Sequence, residues 1–167
     1  MKLYFLRHAD AAKRDPEEYP DDSQRPLTRS GHKRMVKTAR ILSKLELHID
    51  LILSSPYLRA RETAEIVRKN LRLGKDQLVL NDQLAPLGDA SQLILNIRSD
   101  YPVNNLLMVG HEPELSKLIS LLRSGETSLA IELKKGGICC LSVDELAEGK
   151  CAALEWLLSP AEMDILG

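Results

Sequence analysis

Leu3-Tyr4-Phe5-Leu6 is followed at once by Arg7-His8-Ala9-Asp10. A short apolar and aromatic run that stops abruptly at a charge reads as a buried strand arriving at the edge of a sheet. The same event occurs twice more. Ile49 to Leu53 is closed by Ser54-Ser55-Pro56, and Leu106 to Val109 is closed by Gly110-His111.

The segments between these runs are helical in pattern. After a polar excursion from Ala9 to Pro26, Met35, Val36, Ala39, Leu42 and Leu45 recur at three- and four-residue steps, with Thr28 or Ser30 as cap. Ala60, Ala64, Ile66 and Val67 mark a second helix, with Ser55 as cap and Pro56 as its first residue. Leu78 to Leu80 reads as a short strand and Ser91 to Ile97 as a third helix. Leu115, Leu118, Ile119 and Leu122 form a fourth, with Pro113 in its first turn. In the last third, Leu129 to Leu133, Ile138 to Val143 and Cys151 to Leu157 predict two or three strands, and Lys134-Lys135-Gly136-Gly137 a hairpin connection. This alternation predicts an α/β fold, a three-layer sandwich around a mostly parallel sheet.

The 167 residues suit one domain, 1–167, with a core that needs neither disulfides nor a structural metal. At 44% hydrophobic, 28% charged and a net charge of -1, the chain has no basic face for a nucleic-acid backbone. Cys139, Cys140 and Cys151 lack the spacing of a zinc site or a secreted disulfide framework. No signal peptide or membrane-spanning run is read, so the expected location is the cytoplasm.

Three motifs at three strand ends carry the chemistry. In open α/β sheets ligands bind beyond the carboxyl ends of the strands. Arg7 with His8, Ser55-Pro56 with Arg59, and Gly110-His111 are therefore expected to meet, supplying two imidazoles and two guanidiniums. A planar guanidinium fork matches phosphoryl oxygens and neutralises the charge that repels a nucleophile. His8 is then the attacking imidazole, and His111 donates to the oxygens in flight. No carboxylate and histidine cluster has metal-ligand spacing, so neither metal nor cofactor is expected.

Arg7-His8-Ala9-Asp10, Ser55-Pro56-Tyr57-Leu58-Arg59-Ala60 and Val109-Gly110-His111-Glu112-Pro113 resemble the three motifs of the histidine phosphatase superfamily. Arg25-Pro26-Leu27-Thr28 and the short chain resemble its SixA-type phosphohistidine phosphatases. The resemblance implies a phosphoglycerate-mutase-like fold. It makes His8 the nucleophile, sets Arg7, Arg59 and His111 around the phosphoryl group, and adds Arg25 as a substrate-binding residue. One departure is Ala9, where the family usually has Gly. The long insertion bearing an acidic proton donor in the larger, mutase-like members has no counterpart here.

That missing acid bears on the substrate. An alkoxide leaving group needs a proton, whereas imidazole, whose conjugate acid titrates near about pH 6.5, leaves readily. The expected substrate is a phosphohistidine protein, such as a histidine-phosphotransfer domain. The alternatives are a small phosphorylated metabolite, or a phosphate-binding module without turnover. Glu62, Asp89 and Glu112 are candidate acids, each equally well explained as a helix-start residue. Asp10 is expected to orient His8 or an arginine, or else merely to begin the polar loop. His32, His48 and Arg61 read as surface residues. One of Cys139 and Cys140 is expected in the core.

Overall fold

The computed structural model describes residues 1–166. Its strands are β1 (Lys2–Arg7), β2 (Leu51–Ser54), β3 (Leu78–Leu80), β4 (Asn105–Gly110), β5 (Ile138–Val143) and β6 (Ala152–Leu158). The helices are α1 (Arg29–Lys44), α2 (Leu58–Asn70), α3 (Ala90–Asp100), α4 (Glu114–Ser124) and α5 (Pro160–Leu166). One sheet runs in the order β3-β2-β4-β1-β5-β6. The pairs among β3, β2, β4 and β1 are parallel, and β5 and β6 add two antiparallel pairings.

Successive strand residues face opposite sides, and both sides are covered. Leu3, Phe5, Leu53, Leu106 and Met108 pack with Leu93 and Ile97 of α3 and Leu115 and Ile119 of α4. Tyr4, Leu6, Ile52, Leu107 and Val109 pack with Met35 of α1, Ala64 of α2 and Met163 of α5. This is the three-layer α/β sandwich expected from the alternation. Double coverage also explains why β1 and β4 are almost continuously apolar. It places both cysteines in cores, Cys139 on one side and Cys140 on the other, where the sequence pattern suggests only one.

Several local expectations change. Leu129 to Leu133 is not a strand. Leu133 is fully buried there, but the backbone runs outside the ladder. Lys134 to Gly137 is therefore not a hairpin, since no strand directly precedes it. It is a turn that caps the end of β1: Gly136, at φ 73°, donates its N–H toward the carbonyls of Arg7 and His8. A side chain would be strained at that angle. Pro113 stands at the N-cap of α4, one residue before the helix, after a cis Glu112-Pro113 bond. Helix α5 has no counterpart among the expected elements.

The connections place the site. The chain leaves β1, runs through α1 to β2 and through α2 to β3, then returns through α3 to insert β4 between β2 and β1. That reversal puts the carboxyl ends of β2, β4 and β1 side by side, the arrangement in which open sheets leave a crevice.

Candidate active site

Strand register sets the three motifs in one row. Arg7 pairs across from Gly110, and Ser54 from Val109, so the next residues, His8, Ser55 and His111, emerge together. The rings of His8 and His111 have centroids 5.0 Å apart. Both residues are buried, with 8% and 2% of their surface exposed. Beside them opens a cavity of about 590 Å³ lined by Arg7, His8, Arg25, Arg59, His111 and Glu112, with Lys13, Arg14 and Lys135 toward solvent.

Each group is held by its surroundings. His8 Nδ1 lies 2.7 Å from the Ala9 carbonyl, which can only accept, so Nδ1 carries the proton and Nε2 keeps its lone pair. Ala9 is buried, has no positive φ, and donates its N–H to Thr63 Oγ1 of α2. The Gly-to-Ala departure from the family pattern is thus accommodated. Asp10 begins the loop against α1: its carbonyl would lie 2.1 Å from any Cβ at Gly31, so only glycine permits this approach. The Asp10 carboxylate takes Lys135 Nζ at 2.6 Å and the Thr28 hydroxyl at 3.2 Å, and so braces the loop instead of orienting His8.

Arg59 is 4% exposed on the first turn of α2. It donates to the Asp22 carbonyl at 2.8 Å and carboxylate at 3.1 Å, and lies 5.0 Å over the Tyr57 ring. Arg25 donates to the same Asp22 carboxylate at 2.8 Å. Arg7 donates one nitrogen to the Leu133 carbonyl at 3.0 Å, while its buried Nε has no partner. His111 Nε2 lies 2.8 Å from Ser55 Oγ, and its buried Nδ1 is unpartnered. Tyr57 meets the same ring edge-on at 5.2 Å.

Burial, with the nearby Arg59 and Arg7 charges adding to it, pushes His8 down to about 4, although the Ala9 carbonyl opposes the shift. Burial, then the His8 and Arg59 charges, pushes His111 down to about 3. Both rings are therefore neutral at ordinary pH. Asp22 is held below the usual carboxylate range because Arg25 and Arg59 outweigh its burial. Glu112 moves the other way, raised by burial, and one of its oxygens is buried without a partner. A neutral imidazole facing fixed guanidiniums suits attack on phosphorus. Among the described residues no group of His, Cys, Asp and Glu is placed to hold a metal ion.

Residues 3–85 match the model of the histidine phosphatase superfamily, branch 1. Over 98% of its length the chain is 30% identical to the phosphohistidine phosphatase SixA of Escherichia coli, covering 96% of that protein. The chain belongs to the histidine phosphatase superfamily. It is a phosphatase of that family close to SixA, and its fold is phosphoglycerate-mutase-like. A solved structure of the protein histidine phosphatase SixA with tungstate superposes with a TM-score of 0.82 at 28% identity, over 98% of this chain and 99% of that one. An uncharacterised protein of Picosynechococcus is 40% identical over 83% of this chain and 82% of its own length. The α-ribazole phosphatase of Shigella flexneri, 18% identical with a TM-score of 0.74 over 96% of this chain and 97% of that one, shares the fold.

The remaining expectations sort themselves by position. His32, His48 and Arg61 are exposed. Of the three candidate acids only Glu112 lines the cavity. Glu62 accepts the Leu27 N–H and Asp89 caps α3. Ser55 is not the helix cap the sequence suggested, because Tyr57 holds that position and the Ser55 hydroxyl turns to His111. Asp22 and Tyr57 escape the sequence reading. Asp22 lies in a polar loop with no periodic signal, and Tyr57 sits inside a recognised motif at a position that looks like mere spacing.

Proposed function

We propose that this chain hydrolyses phosphohistidine on a protein through a covalent phosphohistidine on His8. The observation that carries the reading is the pair of neutral imidazoles, 5.0 Å apart, set in an arginine-lined cavity that opens to solvent. His8 Nε2 attacks phosphorus while the substrate's N–P bond breaks. The departing imidazole takes up a proton from solvent, which is returned to solvent when water attacks in the second step. Arg7 and Arg59, with Arg25 beside them, hold the phosphoryl oxygens as charge spreads over them. With the Ser55 hydroxyl donating to Nε2, His111 carries its proton on the unpartnered Nδ1 and donates it to a third oxygen. Water then attacks phosphorus, releasing phosphate and restoring His8.

The similarity to SixA along nearly the whole chain supports this substrate. We also place the protein in the reducing cell interior, where its free cysteines are stable; among the described residues no helix is long and apolar enough to cross a membrane. One observation favours a phosphomonoester as an alternative substrate: Glu112, in the cavity with its carboxyl raised by burial, could protonate an alkoxide.

Rapid quenching with a radiolabelled phosphohistidine protein should trap label on His8 in an acid-labile, base-stable linkage. Turnover with label on another residue, or with no trapped label at all, would refute the covalent step. Faster hydrolysis of sugar or aryl phosphates than of the phosphoprotein would transfer the assignment to the alternative.

A further inference from the structure

Leu87 is 93% exposed, more than any other large apolar residue of the chain. It is also held at φ 66°, in the left-handed region that residues other than glycine, asparagine and aspartate rarely adopt. At that exposure little packs on the side chain to offset the strain, and its backbone is tied by hydrogen bonds. Its N–H donates to Glu114 Oε1 on α4, Gly88 N–H donates to the Ala85 carbonyl, and Asp89 N–H donates to Gln83 Oε1. Gly88 is locked in as well, since a Cβ there would fall 2.0 Å from the Gln83 carbonyl. A strained, braced loop that presents an apolar side chain to water points to function before stability.

The position says which function. Pro86 lines the active-site cavity, and Leu87 follows it directly in the chain. Lys13 and Arg14 line the same cavity, and both are exposed. Among the described residues neither is paired with an acidic side chain. A small phosphate needs only the guanidiniums of Arg7, Arg59 and Arg25, and makes no use of an exposed apolar side chain.

We propose that Leu87 and the Lys13-Arg14 pair form a docking surface for the phosphoprotein, Leu87 entering an apolar recess beside the phosphohistidine and the two cations meeting acidic side chains around it. The surface rests on the reading of His8 as the nucleophile that hydrolyses protein phosphohistidine. It adds which residues select a protein over a small phosphate.

The test compares two probes on the full chain: a phosphorylated histidine-phosphotransfer domain with acidic residues around its phosphohistidine, and phosphoramidate. Leu87→Ala should lower kcat/KM for the protein probe by about tenfold, as for a central apolar anchor, mostly through KM. Phosphoramidate hydrolysis should stay within about twofold, as for a surface change away from the reacting atoms. Leu87→Gly relieves the backbone strain, so it should raise Tm while showing the same selective loss. Lys13→Glu with Arg14→Glu should raise KM for the protein and flatten its dependence on salt.

If the wild type hydrolyses both probes and Leu87→Ala is unchanged on the protein, or loses both activities equally, the docking surface is refuted while the site reading stands. If the wild type hydrolyses neither, the site reading fails and takes the surface with it. Hydrolysis of phosphoramidate alone also overturns the surface. So does a Leu87→Ala variant whose only change is loss of self-association in sedimentation, which would assign Leu87 to a second copy of this chain.

Discussion

Ser55 Oγ stands 2.8 Å from His111 Nε2, so the motif that follows β2 fixes the ring supplied by the motif that follows β4. The hydroxyl also accepts the Tyr57 N–H at 3.3 Å, which ties it to the turn entering α2. His111 is thus held by Nε2, and its buried Nδ1 is left without a protein partner. The expected consequence is that Ser55→Ala leaves a buried ring nitrogen without a partner, costing about 1–3 kcal/mol of stability. Activity should fall by about 10² in kcat, the lower range for general acid catalysis, with KM little changed. Ser55→Thr should restore it. Steady-state kinetics beside chemical denaturation separate the two effects, and an unchanged kcat in Ser55→Ala would show that His111 needs no such hold.

Arg59 and Asp22 make a second testable pair. Removing the Arg59 fork by Arg59→Ala should lower kcat by about 10²–10³, the scale of losing one oxyanion donor. Arg59→Lys should recover little of it, because an ammonium cannot reproduce the bidentate geometry. Asp22→Asn is expected to act in the opposite sense on ligand affinity. The main-chain contact from Arg59 to the Asp22 carbonyl, at 2.8 Å, survives the change, while the negative charge beside the phosphoryl pocket is lost. Tungstate should therefore inhibit Asp22→Asn at lower concentration than the wild type. Weaker inhibition would mean that the carboxylate's hold on Arg59 matters more than its charge.

The buried imidazoles set a pH dependence of stability. Their folded values, about 4 for His8 and about 3 for His111, lie below the ordinary histidine value near 6.5. Between those limits the unfolded chain binds more protons than the folded one, so stability rises with pH. It is fully present above about pH 6.5 and is lost on acidification, by up to about 1.4 kcal/mol per pH unit for each ring. Urea midpoints measured across this range should fall steeply toward acid in the wild type and less steeply in His8→Asn. Equal slopes would contradict the assigned burial.

Glu112 separates substrate classes. Its carboxyl is raised by burial and it lines the cavity, so it can supply a proton to a poor leaving group but is not needed by imidazole. Glu112→Gln should slow hydrolysis of an alkyl phosphate by about 10², the lower range for general acid catalysis, and that of phosphohistidine only a few-fold. A loss equal for both substrates would make Glu112 structural.

Much of this architecture is legible in the sequence. Strands, helices and the three motifs are local patterns, because burial on two faces forces continuous apolar runs in β1 and β4, and a single buried face forces the helical spacing of Met35, Ala39 and Leu42. The features that are not legible lack a local signature. Ser55 looks the same in sequence whether it caps a helix or holds an imidazole, and the apolar stretch ending at Leu133 buries its side chain without joining the ladder.

The order of residue types suffices for the layered α/β fold, the three strand ends that carry arginine and histidine, and the chemistry open to those groups. Folding sets the rest: the nitrogen that carries the proton in His8, the Asp22 bridge between Arg59 and Arg25, the entry of Glu112, alone among the three candidate acids, into the cavity lining, and the exposure of Leu87 next to Pro86. The reason is physical. Periodicity follows from the geometry of one element, whereas hydrogen-bond partners, desolvation and exposure arise from segments distant along the chain and adjacent only after folding.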